Sequence, residues 1–170
     1  WGDSPDAAIH MIRKGDIQYM GCDYLAELTL SIMARQQLKD PSKGYAPDFI
    51  TRILKNAGKE AWDKHIRICT NAGGMNILGA VEATRQWAEG EGMSGYKIGY
   101  VLGDEIKAQI PKLLKDGWTF PNFDYDGDFH DIVDKIYNVN AYIGHEGIEE
   151  CLAEGADVVL TGRAADSALF

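Results

Sequence analysis

The chain has 170 residues, 45% of them hydrophobic, with 17 Lys and Arg against 26 Asp and Glu and a net charge of −9 when His is neutral. That apolar share sustains a packed core and excludes a disordered chain, while no run approaches the roughly 18 apolar residues of a membrane span. The acidic balance, with no Lys/Arg cluster, argues against a nucleic-acid partner.

Taken in chain order, Ser4-Pro5-Asp6 predicts a helix start, with Ser4 as cap, Pro5 at the first helical position and Asp6 at the positive end of the dipole. Ala8, Ile9, Met11 and Ile12 give that helix an apolar side, and Gly15 stops it. Ile17 to Met20 reads as a strand running into Gly21-Cys22-Asp23, followed by a helix from Tyr24 to Leu38. A Pro/Gly-bearing loop, 39–47, leads to a helix over 48–56 and a helical turn near 59–64. Ile66 to Cys69 is the next strand, ending at Thr70-Asn71-Ala72-Gly73-Gly74 before a helix over 76–88. Lys97 to Leu102 is a strand that ends at Gly103-Asp104-Glu105 and leads to a helix continuing past Ile110. Residues 117–128 are irregular, 131–137 helical, 140–143 a short strand, 146–154 a helix and 157–161 a strand. Another helix begins after Gly162-Arg163.

Strands alternating with long helices predict parallel pairing through crossover helices. Strands that are apolar throughout predict a sheet covered on both faces. The expected class is therefore α/β: an open, doubly wound, Rossmann-like, mostly parallel sheet with helices on both faces, in a single domain over residues 1–170. The opening helix with no strand before it, the first residue Trp1 and the short last helix lead us to expect a fragment of a longer protein. Three cysteines, Cys22, Cys69 and Cys151, with no basic and apolar leader, suit reduced thiols in the cytoplasm better than disulfides.

Ligands of open α/β sheets bind beyond the carboxyl ends of the strands. That rule selects Asp23, Glu27, Thr70, Asn71, Gly73, Asn76, Gly103, Asp104, Glu105, His145, Glu146, Arg163 and Asp166. Asp23 and Asp104 are candidate acids or bases, and equally candidate helix caps. Asn71, Gly73, Gly74 and Asn76 form either a turn chosen for its backbone or an amide-lined cradle for a phosphate or carboxylate. The run is not GxGxxG and has no P-loop Lys-Ser/Thr. Arg163, ahead of Asp166, suits an anion clamp or a structural ion pair. His145 beside Glu146 is a candidate acid or base, or a cap, whereas His10 and His65 read as structural. Alternating acids around Gly127, from Asp124 to Asp131, have the spacing of a calcium loop without its terminal Glu, so a solvated turn is the better reading and no metal ligand is assigned. The cysteines have no metal spacing, and Cys22 suits a buried thiol better than a nucleophile.

The same strand-end segments carry a resemblance. Trp1-Gly2-Asp3-Ser4-Pro5-Asp6, Gly21-Cys22-Asp23-Tyr24-Leu25-Ala26-Glu27, Thr70 to Asn76 and Val101-Leu102-Gly103-Asp104 resemble the acyclic terpene utilisation (AtuA) family. So do Lys39-Asp40-Pro41 through Gly44-Tyr45, Asn140-Ala141-Tyr142-Ile143-Gly144 and Gly155 through Asp166, in order along the whole chain. Residues 120–131 match no motif of the family. The resemblance implies a longer protein with a Gly-rich strand and turn ahead of this region. It also implies a role in breaking down acyclic isoprenoids, in pathways that process branched acids as CoA thioesters.

Together these readings predict an enzyme of branched or isoprenoid acid catabolism acting on an acyl-CoA or carboxylate, in a lyase or hydratase type of step. CoA enters only as part of the substrate, and no cofactor is assigned. Asp23, Glu27, Asp104 or His145 would move protons, Asn71 with the Gly73 and Gly74 amides would stabilise an enolate oxygen, and Arg163 would anchor the anion. Two alternatives stand beside this: a non-catalytic subunit supporting a partner enzyme, and a dinucleotide-binding oxidoreductase. The expected assembly is a homo-oligomer or a complex with a partner subunit.

Overall fold

Four short strands, β1 (Tyr19–Cys22), β2 (Arg67–Thr70), β3 (Ile98–Val101) and β4 (Val158–Thr161), make one open sheet in the order β1-β2-β4-β3, with every neighbour parallel. The structure is a computed structural model that describes residues 1–124 and 126–165. Among the described residues the helices are α1 (Asp6–Lys14), α2 (Glu27–Lys39), α3 (Lys59–Asp63), α4 (Ile77–Gly90), α5 (Ile110–Lys115) and α6 (Glu146–Ala153).

The strand order dictates where the helices go. From β1 through β2 to β3 the chain steps one way across the sheet, and from β3 to β4 it steps back. Right-handed crossovers then put the first two connections on one face and the third on the other. The core divides accordingly. Ile68, Val158 and Leu160 pack with Met33 of α2 and Phe49 and Leu54 from later in the first connection, and with Ile77 and Ala80 of α4 in the second. Their sheet neighbours Cys69 and Val159 point the other way, to Ile148 of α6 and Ala156. The central strands β2 and β4 thus bury successive residues against different helices, which is why they lack polar alternation. The second face is covered at β3 and β4 but bare at β1, where Tyr19 is 59% exposed.

Helix starts follow the expected chemistry. Ser4 Oγ accepts the Asp6 N–H at 3.2 Å, and Asn76 Oδ1 accepts the Gly79 N–H at 3.0 Å as the cap of α4. At the end of α3 the chain turns with His65 at φ 58°, and Gly58 gives Trp87 room to lie across the helix.

Some boundaries differ from the sequence reading. β1 begins at Tyr19, because its register sets Tyr19 opposite Arg67 and Cys22 opposite Thr70. The helix expected over 48–56 is a π-helical stretch, Phe49–Gly58, that runs into α3 and buries Phe49, Ile53 and Leu54. The helix expected over 131–137 is two short 3₁₀ turns, Phe129–Asp131 and Val133–Lys135. The strand expected at 140–143 is reduced to single bridges, Glu105 with Asn140 and Ile143 with Ala164, because its polar groups bond across to the ends of β3 and β4. The helix expected after Gly162-Arg163, with Asp166, falls largely on residues outside those described.

Candidate functional site

The carboxyl ends of the strands carry two hydrogen-bonded assemblies. At β1 and β2, Thr70 Oγ1 donates to the Cys22 carbonyl at 2.7 Å, tying the strand ends together. The next residue, Asn71, is fully buried; its Oδ1 accepts the Tyr24 N–H at 2.7 Å and its Nδ2 donates to Asp23 Oδ1 at 2.7 Å. The same Asp23 oxygen accepts the Leu25 N–H at 3.0 Å, so the pair shapes the loop that carries Glu27.

The glycine turn that follows packs closely against Met33 of α2 and Gly44. Gly73 and Gly74 are buried, and a Cβ on Gly74, at φ +52°, would strike Met33 Sδ. The Gly74 N–H bonds the Asn71 carbonyl, the Met75 N–H the Gly44 carbonyl and the Asn76 N–H the Gly73 carbonyl. Asn76 Nδ2 donates to the carbonyls of Pro41 and Lys43, pinning the 40–47 loop over the turn. Asn76 thus caps α4 and pins the loop, and a pocket of about 220 Å³ runs from Gly74 and Asn76 to Gly103 and Asp104.

The second assembly joins β3, β4 and the loop after β1. Asp104 is only 3% exposed. Its Oδ2 accepts the Arg163 N–H at 2.8 Å and Asn140 Nδ2 at 2.9 Å. Gly162 makes room for this, since a Cβ there would collide with the Asp104 carboxylate. Arg163, also buried, sends Nη1 to the Leu25 carbonyl at 2.9 Å and lays its guanidinium 4.2 Å from the centre of the Tyr142 ring. Tyr142 in turn donates its hydroxyl to Glu27 Oε1 at 2.7 Å. Glu27, Tyr142 and Arg163 thus stand in one line, with Asp104 and Asn140 behind.

The electrostatics follow from those contacts. The Tyr142 hydrogen bond, helped by the Glu27 main-chain bond and the charge of Arg163, holds the Glu27 carboxyl below the usual range, so it is ionised at neutral pH. The same bond pushes the Tyr142 phenol up, keeping it protonated. Burial pushes the Cys22 thiol up to about 12 and the Cys69 thiol up to about 11, the opposite of an activated nucleophile.

Of the residues selected from the sequence, the structure brings Glu27, Asp104 and Arg163 together, with Asp23 and Asn71 beside them. His145 stands apart, exposed at the start of α6 and 3.5 Å from Glu149. Tyr142 and Asn140 were missed as site residues. They lie in a segment read as a strand, and the family resemblance of Asn140-Ala141-Tyr142-Ile143-Gly144 is the signal that could single them out. Among the described residues no group of three or more His, Cys, Asp or Glu could hold a metal ion. In the acidic loop, Asp128 Oδ1 bonds the His130 main chain and ring. No helix of the described residues is long and apolar enough to cross a membrane.

A family model described as acyclic terpene utilisation family protein AtuA matches residues 1–170. The chain belongs to the AtuA family. That membership links it to acyclic terpene utilisation. No curated protein and no solved structure matches the chain. The AtuA segments named above are the same ones whose side chains close the two assemblies, from the Asp23 loop to Arg163.

Proposed function

We propose that this AtuA chain contributes the proton-transfer site of an enzyme that acts on branched acyl thioesters or carboxylates from acyclic terpenes, in a lyase or hydratase step. One observation carries the reading: an ionised, exposed Glu27 accepts a hydrogen bond from the Tyr142 hydroxyl at 2.7 Å at the carboxyl edge of a parallel sheet. In a hydration, Glu27 takes a proton from the water whose oxygen bonds the β-carbon, the C=C π pair moves toward the α-carbon, and the protonated Glu27 gives that proton to the α-carbon; elimination runs the same transfers backwards. Tyr142 orients Glu27 and offers a neutral O–H donor. Arg163 is a positioning residue, since it acts through the Tyr142 ring and the Leu25 carbonyl.

Turnover of branched acyl-CoA and free-acid substrates by the intact protein tests this. Glu27→Gln should lower kcat by about a hundredfold or more, the usual scale of general acid–base catalysis. A folded Glu27→Gln protein with undiminished turnover would overturn the assignment.

A second reading, a non-catalytic subunit that shapes a partner's active site, draws on a different observation. The bonds described for Asp23, Asn71, Asn76 and Asp104 close on the chain itself, as in a scaffold. Turnover by the purified protein without any partner counts against that reading.

A further inference from the structure

Away from the Glu27 site, a pocket of about 410 Å³ opens between the last turn of α2 and the 40–47 loop, lined by Trp1, Gln36, Lys39, Asp40, Lys43, Tyr45 and Pro47. Its size lies within the usual range of small-molecule sites.

Two features of its lining are unusual in this chain. The first is charge. The protein carries −9 overall, yet this pocket holds two lysines whose ammonium groups make no hydrogen bond or ion pair among the described residues. The one carboxylate in the lining, Asp40, is turned into its own loop, where Oδ1 accepts the Ser42 N–H at 3.0 Å and the Ser42 hydroxyl at 2.7 Å. The second is the pair of aromatic rings. Trp1 is 38% exposed and its indole N–H is fixed to Asp48 Oδ2 at 3.0 Å, while Tyr45 is half-buried on the loop.

Two lysines without a close ion pair among the described residues, one of them near enough for its charge to act on Asp40, stand beside two aromatic side chains, a lining that matches a ligand with phosphates at one end and a flat base at the other. We infer that this pocket binds a phosphorylated adenosine nucleotide, the handle of the CoA thioester. The inference rests on the proposed function for the choice of CoA, and it decides between the two substrate classes in favour of the thioester. Lys39 and Lys43 meet the phosphates, and Trp1 and Tyr45 flank the base. α2 connects the two places: Lys39 ends it at the pocket and Glu27 begins it at the proton-transfer site, a rise of about 18 Å over the helix.

The test is calorimetric titration of the intact protein with CoA, ATP and NAD⁺, at low and high salt. CoA should bind most tightly, with affinity falling as salt rises. Lys39→Ala with Lys43→Ala should weaken it by about tenfold or more through lost charge-assisted contacts. Lys39→Arg with Lys43→Arg keeps the charge and should retain most of the affinity, which separates a binding role from a folding one. Absence of CoA binding, or an affinity the double Ala variant leaves unchanged, overturns the inference. Tighter binding of ATP or NAD⁺ than of CoA overturns the assignment to a thioester handle. Turnover of a free branched acid that Glu27→Gln abolishes, in a protein that ignores CoA, would sink this pocket's role alone. CoA binding with turnover indifferent to Glu27→Gln would sink the proton-transfer reading alone.

Discussion

Asp104 Oδ2 accepts the main-chain N–H of Arg163 at 2.8 Å, so the end of β3 holds the end of β4 from outside the ladder. The carboxylate is buried, and removing it takes away the oxygen that accepts both the Arg163 N–H and the Asn140 amide. Asp104→Ala should therefore destabilise the protein by about 2–3 kcal/mol, the cost of leaving buried donors unpaired. Asp104→Asn, which keeps one acceptor oxygen, should lose less. Urea unfolding of the three proteins checks the order.

Glu27 and Tyr142 predict a pH dependence. The Tyr142 bond lowers the Glu27 pKa, so the interaction is present above the ordinary glutamate range and is lost as pH falls through the lowered value. The acid limb of the pH–rate profile should accordingly lie below the usual range for a glutamate base. Tyr142→Phe removes the largest cause of the shift, and the limb should move upward. A limb that stays put in Tyr142→Phe would show that another group titrates.

Gly74 predicts a steric and conformational penalty together. At φ +52° an alanine is strained, and its Cβ would run into Met33 Sδ. Gly74→Ala should cost about 2–4 kcal/mol, adding roughly 1 kcal/mol of backbone strain to the overpacking of a buried site. Combining it with Met33→Ala should relieve the clash with sulfur but neither the strain nor the contact with the Gly44 carbonyl, 2.9 Å from the added Cβ, so the two changes should be non-additive by thermal or chemical unfolding.

The thiols give a fourth expectation. Cys22 and Cys69 have pKa values pushed up to about 12 and about 11, so neither forms thiolate at neutral pH. Iodoacetamide should modify both slowly in the native protein and rapidly in urea. Fast native labelling of Cys22 would mean that the loop after β1 opens.

The sheet was legible because it obeys short-range rules. Apolar runs closed by glycine or polar residues located all four strands to within about two residues, and the rule of carboxyl ends pointed to Asp23, Asn71, Asp104 and Arg163 before any coordinates. What those residues do was not legible, because it depends on pairings across long stretches of chain. Asn71 looked like part of a ligand cradle, yet its amide is spent on Asp23 and Tyr24. Tyr142 looked like a strand residue, and only the Glu27 bond, 115 residues away along the chain, gives it a role. The π-helical stretch was read as an α-helix because both wind the same apolar residues inward, and their difference in pitch leaves little mark on a pattern of ten residues.

The position of β4 has a consequence for how the molecule is made. It is the last of the described strands to be synthesised, yet it sits between β2 and β3, and without it β3 has no neighbour in the sheet. A nascent chain that has released β1, β2 and β3 therefore carries an unfilled slot at the middle of its future sheet. The Leu25 carbonyl waits for Arg163, 138 residues later. Contacts so distant in sequence fold slowly, and until the slot fills the paired edge of β2 is open to other chains. Production of this protein should be limited by that interval, and chaperones that shield strand edges during synthesis should raise its soluble yield more than any gain in final stability.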